Sequence, residues 1–130
     1  MTQEEMKSRT KQLALRVIRL VESLPKTRTS NVIGGQLLRS GTSVGANYRA
    51  ACRAKSTADF IHKLAIVEEE ADESIYWIEL LVESKQVALI LVQSLLTEFD
   101  EVLSIVVASI KTSKLRRNPK SHIRNPKFAL

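Results

Sequence analysis

An all-α fold of four helices is what this sequence predicts, and three observations predict it. Aromatic residues make up only 5% of the 130-residue chain, which has 4 Gly and 3 Pro. That is too few strand-favouring aromatics and turn residues for a sandwich, barrel or propeller. Apolar residues return at alternating spacings of three and four along four segments, which is the helical period. The length suits one domain able to bury about two-thirds of its unfolded surface, so its core needs no disulfide or metal.

Leu13, Val17, Leu20 and Leu24 recur at spacings of 4, 3 and 4, flanked by Ala14 and Val21, and Pro25 ends the run. They predict a first helix over roughly residues 3–24. Ser30 or Asn31 is placed to cap a second helix, whose buried face is marked by Ile33, Leu37, Val44, Tyr48 and Ala51. Gly41 falls in its middle and is expected to weaken or kink it. Ser56-Thr57-Ala58-Asp59 resembles a capping box with Asp in place of Glu and opens a third helix over about 57–84. There Phe60, Leu64, Val67, Ala71, Ser74, Ile78 and Leu81 form a bundle-type seam, with Ile61, Ile75 and Val82 as a second row.

In the fourth segment Leu95, Phe99, Val102 and Val106 share one face, with Leu96, Leu103, Val107 and Ile110 on another. One bundle core needs only about a 100° stripe, so the surplus predicts deep burial or an interface between copies, and a homo-oligomer is expected. From Lys114 onward periodicity stops and positive charge accumulates around two prolines. The expected organisation is a helical domain over 1–113 and a basic, flexible arm over 114–130.

The formal charge of +6 conceals strong segregation. Residues 1–24 carry five basic and three acidic groups, and 25–63 carry seven basic groups against Asp59 alone. Residues 64–104 carry ten acidic groups against Lys85, and 105–130 carry seven basic groups and no acid. Basic and acidic helices could simply neutralise each other; the arm has no such partner in sequence.

Several chemistries find no support. Cys52 is the single cysteine, so neither an intrachain disulfide nor a paired-Cys zinc site forms, and a reduced cytoplasm is the expected setting. The longest apolar run, Val87 to Val92, has six residues, far short of the roughly 20 needed to span a bilayer. Arg16, Arg19 and Glu22 interrupt what a signal-peptide core would need, so neither membrane nor secretion is expected. His62 and His122 belong to no H-E-x-x-H pattern. The pairs Glu69/Glu73 and Glu68/Asp72 share helix faces, but no Glu has His three residues later, as di-metal bundles require. Cys52 near Arg49 and Arg53 could form a thiolate but lacks a His partner, and suits a packing role better. The glycines of Gly34-Gly35 and Gly41 to Gly45 lack a phosphate-loop context. No catalytic residue, metal ligand or cofactor site is assigned, and the expectation is a protein without enzymatic activity.

The small residues Gly41, Gly45, Ala46, Ala50 and Ala54 leave one side of the second helix without bulk, so another helix can approach. Asn47 could hydrogen-bond across such a contact, and of Tyr76 and Trp77 one should be packed and the other nearer solvent. The best functional candidates are basic. Arg9, Arg16 and Arg19 lie along one face of the first helix, and Arg49 and Arg53 stand four apart on the second, with Arg39, Lys55 and Lys63 nearby. Arg116 and Arg117 open the arm. Such cations can follow successive phosphates, and with few aromatics to stack on bases, binding to RNA or DNA would rest on backbone charge. Pairing of Arg49, Arg53 and Lys63 with Glu69, Glu73 and neighbouring carboxylates is the competing use of the same residues.

The stretch Arg39-Ser40-Gly41-Thr42-Ser43-Val44-Gly45-Ala46-Asn47-Tyr48-Arg49-Ala50-Ala51-Cys52-Arg53-Ala54-Lys55-Ser56, then Asp59-Phe60-Ile61-His62-Lys63-Leu64, carries a resemblance. With Ile66 to Ser74 and Trp77 to Leu81, it resembles the signature of the four-helix-bundle proteins encoded in intervening sequences of bacterial 23S ribosomal RNA genes. The resemblance covers about residues 10–113. It implies an antiparallel up-down four-helix protomer that assembles as a ring-shaped homo-oligomer, commonly a pentamer. A related branch, the accessory protein of diversity-generating retroelements, is a basic pentamer that binds nucleic acid and a reverse transcriptase. The resemblance therefore implies RNA, DNA or a protein such as a reverse transcriptase as partner, and it does not reach the basic arm.

Overall fold

The computed structural model describes residues 1–117, which form four helices: α1 (Gln3–Ser23), α2 (Arg28–Ala51), α3 (Thr57–Glu83) and α4 (Leu89–Arg117). They pack in chain order as an antiparallel up-down bundle, α1 on α2, α2 on α3, α3 on α4, with α4 returning only sparingly to α1. Residues 118–130, and with them His122 and most of the expected arm, lie outside the described residues. The boundary expected at 113 shifts, because α4 continues through Lys114, Leu115, Arg116 and Arg117. These cations favour the last helical turn, where exposed carbonyls concentrate negative charge.

Each helix starts for a local reason. Thr2 caps α1 in a reciprocal box, its hydroxyl accepting from the Glu5 N–H at 3.1 Å while Glu5 accepts from the Thr2 N–H at 3.1 Å. Helix α2 begins earlier than expected, with Thr27 as its cap in place of Ser30 or Asn31. The Ser30 N–H donates to the Thr27 hydroxyl at 3.0 Å, and both hydroxyls donate to Gln86 Oε1, at 2.6 and 2.8 Å, tying the α1–α2 and α3–α4 turns together. Ser56 caps α3 as expected, but Asp59 accepts from the Lys55 N–H and not from Ser56 itself. At the other end of α3, Lys85 takes φ 63°, and the N–H groups of Lys85 and Gln86 close back onto Val82 and Leu81, a Schellman turn with lysine where glycine is usual.

The core runs the length of the bundle on heptad spacing. Its rows are Met6, Thr10, Leu13 and Val17 on α1; Gly34, Leu37, Gly41, Val44, Tyr48 and Ala51 on α2; Leu64, Val67, Ala71, Ser74, Ile78 and Leu81 on α3; and Val92, Leu95, Phe99, Val102 and Val106 on α4. Two expected seam positions sit differently: Phe60 is half-buried while Ile61 takes the core place, and Ile33 is half-buried. One polar contact crosses the core, Ser40 to Ser74 at 2.7 Å, with Ser74 also donating to the Glu70 carbonyl.

Gly41 does not break α2. A Cβ there would lie 2.8 Å from Val17 Cγ2, and at Gly45 3.2 Å from the Thr10 carbonyl oxygen. The glycines thus let the α1 and α2 backbones close together, and packing outweighs the helix-propensity cost of about 1 kcal/mol. Asn47 donates within its own helix, to the Ser43 carbonyl at 2.8 Å, and makes no bridge to another. Tyr76 is exposed and Trp77 packs partly against the core, its indole donating to Glu73.

The sparse α1–α4 seam is held by charge. Arg9 grips Glu98 through two hydrogen bonds, at 2.6 and 2.8 Å, and reaches Glu101 at 2.8 Å. The side chains of Arg9 and Glu98 are only 22% and 21% exposed, so solvent screens the pair weakly. The hydrogen bonds from Arg9 hold the Glu98 carboxyl below the usual carboxylate range.

Both the glycine contact and the charged seam can be tested by stability. Gly41→Ala should destabilise by about 1–3 kcal/mol in urea unfolding, since Val17 fills the space. Gly35→Ala, with nothing within 4 Å, should stabilise by about 0.5–1 kcal/mol. Val17→Ala should cost less in the Gly41→Ala background than alone. Because Glu98 is depressed in the folded state, its pair contributes above the unfolded carboxylate pKa and is lost as pH falls through the folded value. Arg9→Met should cost about 1–2 kcal/mol near neutrality, and its difference from the parent should shrink as denaturation is followed into acid.

Candidate nucleic-acid interface

The basic residues divide into those already paired and those left over. Arg9 is clamped to α4, and Arg16 donates to Ser94 Oγ at 2.9 Å on the same seam. Arg19 is exposed, so the face expected along α1 separates into two seam residues and one outward residue. Arg39 pairs with Glu70 at 3.1 Å and with Glu73, while Lys63 pairs with Asp59 at 2.9 Å. The ammonium of Lys63 and the Lys55 N–H lower the Asp59 pKa, in that order. The carboxylates expected for Arg49 and Arg53 are thus taken by Arg39, or face elsewhere. Among the described residues Arg49, Arg53, Lys55 and Lys11 form no salt bridge.

These four lie towards one end of the bundle, whereas Arg19, Lys26, Arg28 and Lys85, also exposed and without a salt bridge among the described residues, lie towards the other. Arg49 and Arg53 form a ridge at the C-terminal end of α2, with a groove on either side. Towards α1 the groove holds about 550 Å³, with Lys7 and Lys11 on its far wall and Gly45 and Ala46 in its floor. Towards α3 it holds about 360 Å³, with Lys55, Asp59 and Lys63 opposite Ala46 and Ala50. The small-residue series therefore has two uses: Gly41 and Gly45 seat α1, while Gly45, Ala46 and Ala50 floor open grooves. Arg116 borders a further cleft with Lys55, Cys52 and Phe60, extending the basic end to α4, and Arg117 is exposed beside it. Lys7, paired with Glu4 at 2.7 Å, and Lys11 were not among the residues expected here; their four-residue spacing on α1 was the available signal.

This arrangement offers charge and hydrogen-bond donors on exposed long side chains, suited to holding anionic oxygens. Among the described residues no group of three or more His, Cys, Asp or Glu could hold a metal ion, and no helix is long and apolar enough to cross a membrane. Cys52 is half-buried as the C-cap of α2. It lies beside Tyr48, whose hydroxyl is pushed up to about 12 by burial first and by Cys52 second.

Comparison with known proteins agrees with this architecture. The family model for the 23S rRNA-intervening sequence protein matches residues 3–108, taking in α1, α2, α3 and most of α4. A crystallised protein of unknown function from the S23 ribosomal protein family of Bacteroides thetaiotaomicron VPI-5482 has the same fold, with a TM-score of 0.80 at 36% identity. That similarity covers 85% of this chain and 99% of the other. No curated protein matches. With the helices, the glycine-seated α1–α2 contact and the matched span in agreement, the chain belongs to the 23S rRNA-intervening sequence protein family.

Proposed function

We propose that this protein is a non-enzymatic nucleic-acid-binding or scaffolding protein that works as a basic homo-oligomer, a ring and most simply a pentamer, contacting RNA or DNA through phosphates. One observation carries the reading. After Arg9, Arg39 and Lys63 have taken their carboxylates, Arg49, Arg53, Lys11 and Lys55 remain unpaired among the described residues and share one end of the bundle. Ion pairing within the protomer does not use them. The proposed contacts therefore centre on these four, with Lys63, Arg116 and Arg117 at the margin, and Arg9, Arg16 and Arg39 serve the fold.

A second reading has its own support. Leu89, Ile90 and Leu91 at the start of α4 are 49%, 79% and 76% exposed, and Val32 on α2 is 61% exposed. Apolar exposure of this kind favours a protein contact, either between copies or with another protein, such as a reverse transcriptase served by an accessory subunit.

Fluorescence anisotropy with generic RNA and DNA at rising salt tests the first reading. Arg49→Gln/Arg53→Gln should weaken binding by about tenfold or more and flatten the salt dependence. Arg39→Gln should change affinity far less. Absence of binding at low salt, or binding indifferent to salt, would overturn it. Light scattering should give a multiple of the 14.6 kDa chain mass; a monomer would remove the ring.

A further inference from the structure

Resting on the nucleic-acid reading above, we infer that the preferred ligand of the basic end is a double helix, held by its phosphates, and not a single strand. The first support is the lateral spread of the cations. Lys11 stands on α1, Arg49 and Arg53 on α2, and Lys55 and Lys63 at and within the start of α3. Neighbouring packed helices lie about 8–10 Å apart, and α2 stands at a corner of the bundle between α1 and α3, so these cations occupy two adjacent sides of the Arg49–Arg53 ridge and not a single row. A single extended backbone follows one line and meets one row of these groups. A duplex carries a charge for every ~1.7 Å of its axis, distributed over two strands, and so offers phosphates to both sides of the ridge.

The second support is the placement of the aromatic side chains. Single-strand binders combine a basic track with aromatic platforms on which bases stack. Among the described residues the exposed large apolar side chains include one aromatic, Tyr76. It lies 13 residues beyond Lys63 on α3, about 20 Å along the axis, on an exposed row with Glu69, Asp72, Glu79 and Glu83. Nearer the cations, Tyr48 is buried and Phe60 half-buried. The groove floors are Gly45, Ala46 and Ala50, with no side chain long enough to reach a base edge. A ligand whose bases are already stacked and paired loses nothing on such a surface, whereas a single strand finds no substitute for the stacking it lacks.

The test uses the full chain, fluorescence anisotropy, and labelled duplexes of about 20 base pairs in RNA and in DNA, each beside its separate strands, over about 50–200 mM salt. Duplex should bind at least tenfold more tightly than either of its strands. Arg49→Gln/Arg53→Gln should lower the slope of log K against log salt for duplex by about 2 for each protomer in contact, with helicity by circular dichroism unchanged; Lys11→Gln, on a different helix, should lower it by about 1 per protomer. A duplex preference confined to RNA or to DNA supports the inference and names the source. A strand bound as tightly as its duplex overturns the inference alone. Failure of every probe to bind overturns the nucleic-acid reading beneath it.

Discussion

Helices α1 and α2 meet where α2 has no side chains to hold them apart. Gly41 faces Val17 and Gly45 faces the Thr10 backbone so closely that a methyl group at either position would have to displace its neighbour. Close packing of this kind fixes both the separation and the axial register of two helices, because dense interiors resist sliding as well as approach. Everything on the outer surface of that pair inherits the register. Lys7 and Lys11 are set opposite Arg49 and Arg53 across a shallow groove because the glycines one face inward leave no alternative arrangement. The same contact places Thr27 and Ser30 at the far end, where both reach Gln86 and align the second hairpin of the bundle with the first.

Charge then completes what packing leaves open. The acidic excess on α3 and α4 is spent unevenly: Glu98 and Glu101 close the thin α1–α4 seam through Arg9, and Glu70 and Glu73 hold Arg39 on α2. The Arg9–Glu98 pair, partly buried and bidentate, is worth more than the more exposed contacts of Arg39. These contacts therefore act as positional constraints along the sides of the bundle. Of the other exposed acids of these two helices, Glu69, Asp72, Glu79 and Glu83 lie on the outer row of α3 and Asp100 lies on α4. Within the basic end itself Asp59 and Glu4 line the two grooves but pair with Lys63 and Lys7, which leaves Arg49 and Arg53 without a salt bridge.

Much of this fold was legible in the sequence, and the exceptions have physical causes. Alternating spacings of three and four marked all four helices, because burying one face of each helix forces that period. The cap of α2 falls on Thr27 and not on Ser30 or Asn31 because all three are competent caps, and the shared bonds of Thr27 and Ser30 to Gln86 decide between them. Gly41 looked like a break because local propensity penalises it; the compensating contact with Val17 is 24 residues away and invisible to a local pattern. Phe60 and Ile61 exchanged places for a related reason, since adjacent apolar residues at a helix start fit two rows equally well. At the basic end, sequence spacing identified Arg49 and Arg53 but grouped them with Arg9 and Arg39. The partners of those two lie 89 and 31 to 34 residues away, and pairing over such separations is a property of the fold. Lys11 was overlooked for the converse reason: its significance comes from α2 packing beside it.

The two parts of the proposed function depend on each other energetically. Four unpaired cations on one protomer can displace about four counterions, which corresponds to a salt slope near −4 and an affinity in the range of non-specific binding, roughly 10⁻⁴–10⁻⁶ M at physiological salt. Contacts to phosphate alone add no sequence-specific affinity. An isolated protomer would therefore release a polyanion readily. Repeating the same face around a closed symmetric assembly changes this without any new residue, since each further contact is made at a high effective concentration and avidity gains of about 10²–10⁴ become available. The exposed Leu89, Ile90 and Leu91 stand at the end of the bundle away from Arg49 and Arg53, where a contact between copies would leave the basic end free. Apolar exposure at the start of α4 and the grooved cation cluster around Arg49 and Arg53 are thus complementary requirements of a single reading, in which assembly supplies the affinity that one chain lacks.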